Sequence, residues 1–126
     1  MTGTDIYNTA MHLCALRNKS GAIPSDCSDL TQRATALINI LIAENAYLDS
    51  LIKKQALTIN PITELSNTVE LSELICAAVL PYGLACLLIQ NEDTGEAMFF
   101  KSRYEFEKAK IQSEIKGVLT PIKEVY

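Results

Sequence analysis

The chain has 126 residues, 48% of them hydrophobic and 21% charged, with a formal net charge of −4. That length suits one domain with a core of its own, and the composition excludes a globally disordered chain. The acidic balance, with basic residues only in small groups such as Lys53-Lys54, excludes a binder of phosphate backbones, which needs a concentrated Lys/Arg surface.

Few glycines and prolines among many Ala, Leu and Ile residues favour helix. The spacing predicts a first helix over about 4–17, capped by Thr4 or Asp5. Ile6, Ala10, Leu13 and Cys14 face inward, with Tyr7 and Met11 beside them. His12 is the single histidine. It lies two positions from Cys14 and so off that face, which makes it a surface or hydrogen-bonded side chain rather than half of a nucleophilic pair. Gly21 and Pro24 then break the helix.

A second helix over about 26–54 would form a rod of about 42 Å. Leu30, Ala34, Leu37, Leu41, Leu48 and Ile52 make one stripe, with Ile38 widening it. A helix so long must pack along most of its length. Asn45 interrupts the stripe in register, either as a buried polar register device or at the surface. Glu44 reads as solvated. Residues 55–67, with Pro61, Ile59, Ile62 and Leu65, read as a connector laid across the bundle.

A third helix is expected over about 68–91, capped by Thr68, with Glu70 and Glu73 in its first turn. Its apolar run, residues 74–89, is shorter than the roughly 20 residues needed to span a bilayer and has no basic flank, so a buried helix is expected there. Pro81 lacks an N–H and presses on the carbonyl of Ala77, so the spacing predicts one helix kinked near residues 77–81. Gly83 would let another backbone approach closely, and Tyr82 and Tyr104 would hydrogen-bond at the bend. Leu71, Leu74, Ile75, Ala78 and Val79 make one inward face before the proline, continued by Ala85, Leu88 and Ile89 after it. Apolar residues surround this helix on nearly every side, so it is either central or shared with a neighbouring subunit.

A fourth helix over about 94–116 opens with an Asp93/Glu96 capping box. Ala97, Phe100, Tyr104, Ile111 and Ile115 face inward, and Lys101–Glu105, Arg103–Glu107 and Lys110–Glu114 pair four apart on the wet face. Capping accounts for Glu92, Asp93 and Glu96 without a metal or an acid/base pair. Gly117 would close the helix and Pro121 would stop it restarting. The tail 117–126 is apolar, and Pro121, Ile122, Val125 and Tyr126 either dock on the body or form a partner surface.

The four cysteines, Cys14, Cys27, Cys76 and Cys86, form no CxxC pair and match no zinc spacing. They read as reduced small hydrophobes, which implies a cytoplasmic compartment. The start MTGTDIYNTA has no basic segment followed by an apolar core, so no signal peptide is read there. No phosphate-binding loop, nucleophile elbow or ExxH motif occurs. The residues therefore suggest a single all-α, four-helix bundle-like domain over 1–126, with a long second helix and a Pro-kinked third, no catalytic residues and no cofactor.

Residues 71–108, LSELICAAVLPYGLACLLIQNEDTGEAMFFKSRYEFEK, resemble small helical head–tail connector (adaptor, head-completion) proteins of tailed phages and prophages. The resemblance rests on Leu80-Pro81-Tyr82-Gly83-Leu84-Ala85, the acids Glu92-Asp93, Phe99-Phe100 and Arg103-Tyr104-Glu105, and more loosely on QRATALINILIAENAYLDSLI as a long second helix. It implies a non-enzymatic protein, a monomer alone, that assembles as a ring on the portal of a filled capsid. Its partners would be the portal, neighbouring connector subunits and tail components, with no sequence-specific nucleic-acid binding and no membrane. Such a ring extends the DNA exit channel, where acidic walls let DNA pass without sticking. The protein would be cytoplasmic in the host and virion-associated after assembly. Two alternatives stand beside it: a bacterial cytoplasmic module for protein–protein interaction, and an enzyme or ligand carrier with a polar cavity lined by His12, a cysteine and a carboxylate.

Overall fold

The computed structural model describes the backbone of residues 1–17 and 27–119 and the side chains of residues 1–14 and 32–115. Among these, the helical segments are α1 (Gly3–Arg17), α2 (Cys27–Lys53), α3 (Glu73–Ala78), α4 (Leu80–Ile89) and α5 (Thr94–Leu119). The all-α, bundle-like architecture is as expected, and the long second helix is its longest element.

The cap of α1 is Thr2 rather than Thr4 or Asp5. Thr2 Oγ1 accepts the Asp5 N–H at 3.2 Å, and Asp5 Oδ2 accepts the Thr2 N–H at 3.0 Å, a reciprocal capping box. The backbone N–H of Thr2 is the main reason that the Asp5 carboxyl titrates below its ordinary value. The next two first-turn donors are satisfied from a distance: Gly3 N–H donates to the Asn67 carbonyl at 3.1 Å and Thr4 N–H to that of Leu65 at 2.8 Å. Gly3 has no side chain because a Cβ there would lie 2.9 Å from the Leu65 oxygen. The connector thus wraps the start of α1, and a single bridge joins Thr2 to Thr68.

The long α2 ends in a Schellman turn, with Lys54 in the left-handed region (φ 56°) and the Gln55 N–H donating to the Ser50 carbonyl at 3.2 Å. Midway along α2, Asn39 clasps the connector: its Oδ1 accepts the Ile62 N–H at 2.8 Å and its Nδ2 donates to the Ile62 carbonyl at 2.9 Å.

The third helix starts at Glu73, not at Thr68. Residues 68–70 are held by other partners: Val69 N–H donates to the Met1 carbonyl, and the Glu70 carbonyl accepts Lys53 Nζ at 2.7 Å. Asp49 of α2 then accepts the Ser72 N–H at 2.7 Å at the foot of α3 and pairs with Lys53 at 3.1 Å. At the break α3 passes into α4 with no loop. Val79 alone separates them, its N–H donating to Ile75 at 3.0 Å and its carbonyl accepting Gly83 N–H at 3.2 Å. The path is therefore one bent rod, as Pro81 led us to expect. Pro81 occupies the first turn of α4, where a missing N–H costs nothing.

Leu80, Leu84, Ala85 and Leu88 of α4 are buried, and every other helix packs on this element. No residue of α4 is classed as exposed. Of the two expectations for the bent helix, central placement describes α4, while Tyr82, Cys86, Leu87 and Ile89 keep part of their surface open. Only Leu74 of α3, expected on the inner face, points outward. On α5, Asp93 Oδ1 caps the Glu96 N–H at 3.0 Å, and Ala97, Phe100, Tyr104 and Ile111 are buried. The helix continues through Gly117 to Leu119, so Gly117 does not close it. Residues 120–126, including Pro121, Ile122, Val125 and Tyr126, lie outside the described part.

Candidate functional site

Of the residues singled out around the bend, the structure brings Gly83, Tyr82 and Tyr104 together, with Pro81 buried beside them in α4. What approaches Gly83 is not a backbone. A Cβ built there would lie 2.8 Å from the Tyr104 ring and 2.9 Å from a Leu41 methyl. Glycine is needed so that a side chain of α5 and one of α2 can meet on the helix axis of α4.

The Tyr104 ring carries its hydroxyl to α2 rather than to the bend. The hydroxyl donates to Glu44 Oε1 at 2.7 Å and accepts Asn45 Nδ2 at 3.0 Å. Asn45 is fully buried and also donates to the Leu41 carbonyl at 2.8 Å. Asn45 is thus the buried one of its two expected placements, and its Oδ1 has no protein partner. Glu44, read as solvated, is exposed yet holds this hydroxyl. Burial first, and then the bond to Glu44, push the Tyr104 phenol well above its ordinary value, so it stays protonated and donating. The side chain of Lys108 lies over the same ring at 4.9 Å.

Tyr82 turns toward the surface. Its ring lies 6.5 Å from that of Phe100, and the Arg103 guanidinium stands 5.2 Å over it. The same guanidinium is 5.6 Å from the Phe106 ring and pairs with Glu107 at 3.2 Å. Phe99 meets Phe100 edge to face at 5.6 Å. The result is a surface ledge of Tyr82, Phe99, Arg103 and Phe106 on α4 and α5, backed by the buried Phe100. Preorganised aromatics around an arginine are the residue types that dominate protein interfaces.

A second apolar strip runs along α2. Ala36, Ile40, Ala43 and Tyr47 are all exposed, and Ile40 and Tyr47 leave 50% and 61% of their surfaces to solvent. Their alternating spacing of four and three puts them in one line. This strip makes α2 apolar on two sides. Its stretch Gln32–Lys53 is long and apolar enough, by length and composition, to cross a membrane. The sequence signal was present: Ile40, Ala43, Tyr47, Met98 and Phe106 are apolar residues out of phase with the inward stripes.

His12 is exposed on α1. Cys14 is half-buried, and burial, with the carboxylates of Glu92 and Glu96 adding, pushes its thiol up to about 11. Cys76 is buried and Cys86 half-buried, and burial raises both. Such thiols are poor nucleophiles at neutral pH. Among the described residues, no three His, Cys, Asp or Glu side chains gather to hold a metal ion. The fold defines a helical-bundle protein. Comparison with protein-family models, with curated proteins and with solved structures finds no match to this chain.

Proposed function

We propose that this chain is a non-enzymatic structural adaptor of a phage or prophage head–tail connector, assembling as a ring on a portal. The observation that carries the reading is a pair of exposed apolar strips on different helices, one on α2 (Ile40, Tyr47) and one on α5 (Met98, Phe99, Phe106). A closed ring is built from head-to-tail contacts, each joining one patch of a subunit to a different patch of its neighbour. A subunit of that kind must show two such patches, and large apolar side chains on a protein this small are best used in that way. The resemblance of residues 71–108 supports the same reading, and with it goes the proposal of a protein that is cytoplasmic in the host and virion-associated after assembly.

The test is co-expression with the portal protein encoded in the same genome, followed by electron microscopy of the purified particles. Portal rings with an added layer of density are expected. A chain that remains monomeric beside assembled portals would overturn the reading. Capture instead on a protein of an uninfected bacterial host would favour the interaction module.

A further inference from the structure

The two exposed strips match residue for residue. On α2, Arg33, Ile40 and Tyr47 recur at every seventh position, with Ala36 and Ala43 between them, and all five are exposed. On α5 and the turn before it, Glu92, Phe99 and Phe106 recur at the same interval, with Gly95 and Ser102 between them, and these five are exposed too. A repeat of seven keeps a seam in line along helices that lie side by side. Each strip thus offers a charge, opposite in sign to the other's, and then two large side chains set among small ones.

The strips also stand at one height. Asn45 of α2 bonds to Tyr104 of α5, 59 positions on. Ile52 and Ile111, the same interval apart, wall one open groove. The two helices therefore run the same way through the molecule. Counting by that interval sets Ile40 level with Phe99 and Tyr47 level with Phe106.

We propose, resting on the ring reading above, that α2 of each subunit lies beside α5 of the next, with both helices along the channel. A closed ring carries each subunit to its neighbour by a rotation with no rise. Helices along the axis then keep their height and their direction, so the register inside the chain is also the register between chains. Ile40 packs on Phe99 and Tyr47 on Phe106 of the next subunit. Ala36 and Ala43 lie over Gly95 and Ser102, and Arg33 comes level with Glu92. Strips at unequal heights would add a rise at every step and wind into an open filament. An antiparallel match would need a reversal that the small rotation of a ring does not supply. Each face offers two large side chains, well short of the ~20–30 residues a side of a stable interface. The free chain therefore stays single, and the portal completes the contact by holding neighbours side by side at high effective concentration.

Paired cysteines read the register. Chains carrying Ile40→Cys with Phe99→Cys, or Tyr47→Cys with Phe106→Cys, are co-expressed with the portal protein of the same genome, oxidised, and run on a denaturing gel without reductant. The wild-type chain, with its own four cysteines, is the blank. A ladder of linked chains rising to the full ring is expected from each pair, because every subunit is tied on both sides. Ile40→Cys with Phe106→Cys is offset by about 10 Å along the helices, beyond the ~7 Å that a disulfide spans, and should give no ladder. Arg33→Glu and Glu92→Arg should each thin the added layer seen by electron microscopy, and the two together should restore it. An added layer with no ladder from either level pair, or a ladder from the offset pair, would overturn this contact and leave the ring reading standing. A portal that gains no layer from the wild-type chain would overturn both.

Discussion

The Tyr104 hydroxyl joins two helices through one atom, accepting from Asn45 and donating to Glu44. Tyr104→Phe leaves the buried Asn45 amide with a single acceptor, the Leu41 carbonyl, and should cost about 1–2 kcal/mol in chemical denaturation. Gly83 and Gly95 form a matched contrast. Alanine at Gly83 places a Cβ 2.8 Å from the Tyr104 ring, whereas at Gly95 the nearest neighbour is 3.5 Å away. Gly83→Ala should therefore lose about 1–2 kcal/mol despite its better helix propensity. Gly95→Ala should gain about 0.5–1 kcal/mol. Thermal melts of the two variants should move in opposite directions. The thiol of Cys14 keeps its proton until pH approaches about 11, because burial disfavours the thiolate. Its alkylation in the folded protein should be slow at about pH 8, where an unfolded cysteine is already partly ionised. The rate should climb only as pH rises toward the shifted value, or when denaturant is added; mass spectrometry of the alkylated peptide reads this.

At the scale of elements, the bent rod, the long α2 and the inward stripe of α5 were all legible, because each rests on a period or on a proline whose effect is local. Where elements begin was less legible. The third helix starts at Glu73 because Asp49, 23 residues upstream, supplies the acceptor for Ser72 N–H. Such a cap is set by tertiary contact and has no local signature. The early cap of α1 had one, since Thr2 stands three residues before Asp5. Leu74 was misplaced because the six-residue α3 buries Ile75 and Cys76, which turns the neighbouring Leu74 outward, and so short a helix offers too few positions for the period to choose between adjacent faces. Gly83 was identified as a close-packing residue, but its partner was read as a backbone because the sequence does not say which side chain arrives from α5. Lys54 bears a left-handed backbone that glycine adopts without strain. Lys54→Gly should stabilise the C-terminus of α2 by about 0.5–1 kcal/mol, visible as a higher midpoint in urea with an unchanged slope.

At the scale of the whole molecule, the core and the exposed strips are energetically separate. Ile40 and Tyr47 contribute little to folding because much of their surface stays in water. Ile40→Lys combined with Tyr47→Lys should leave the melting temperature within a few degrees of wild type and abolish layering on portal rings, as scored by microscopy. Loss of both properties together would place the strip in the fold instead. The clamp on α1 has a further consequence for biosynthesis. Thr4 is translated early, but the carbonyl that receives its N–H, on Leu65, leaves the ribosome about sixty residues later. The opening helix therefore spends much of translation with its leading turn unfastened, and the strap formed by residues 62–69 sets the moment at which the nascent chain can close.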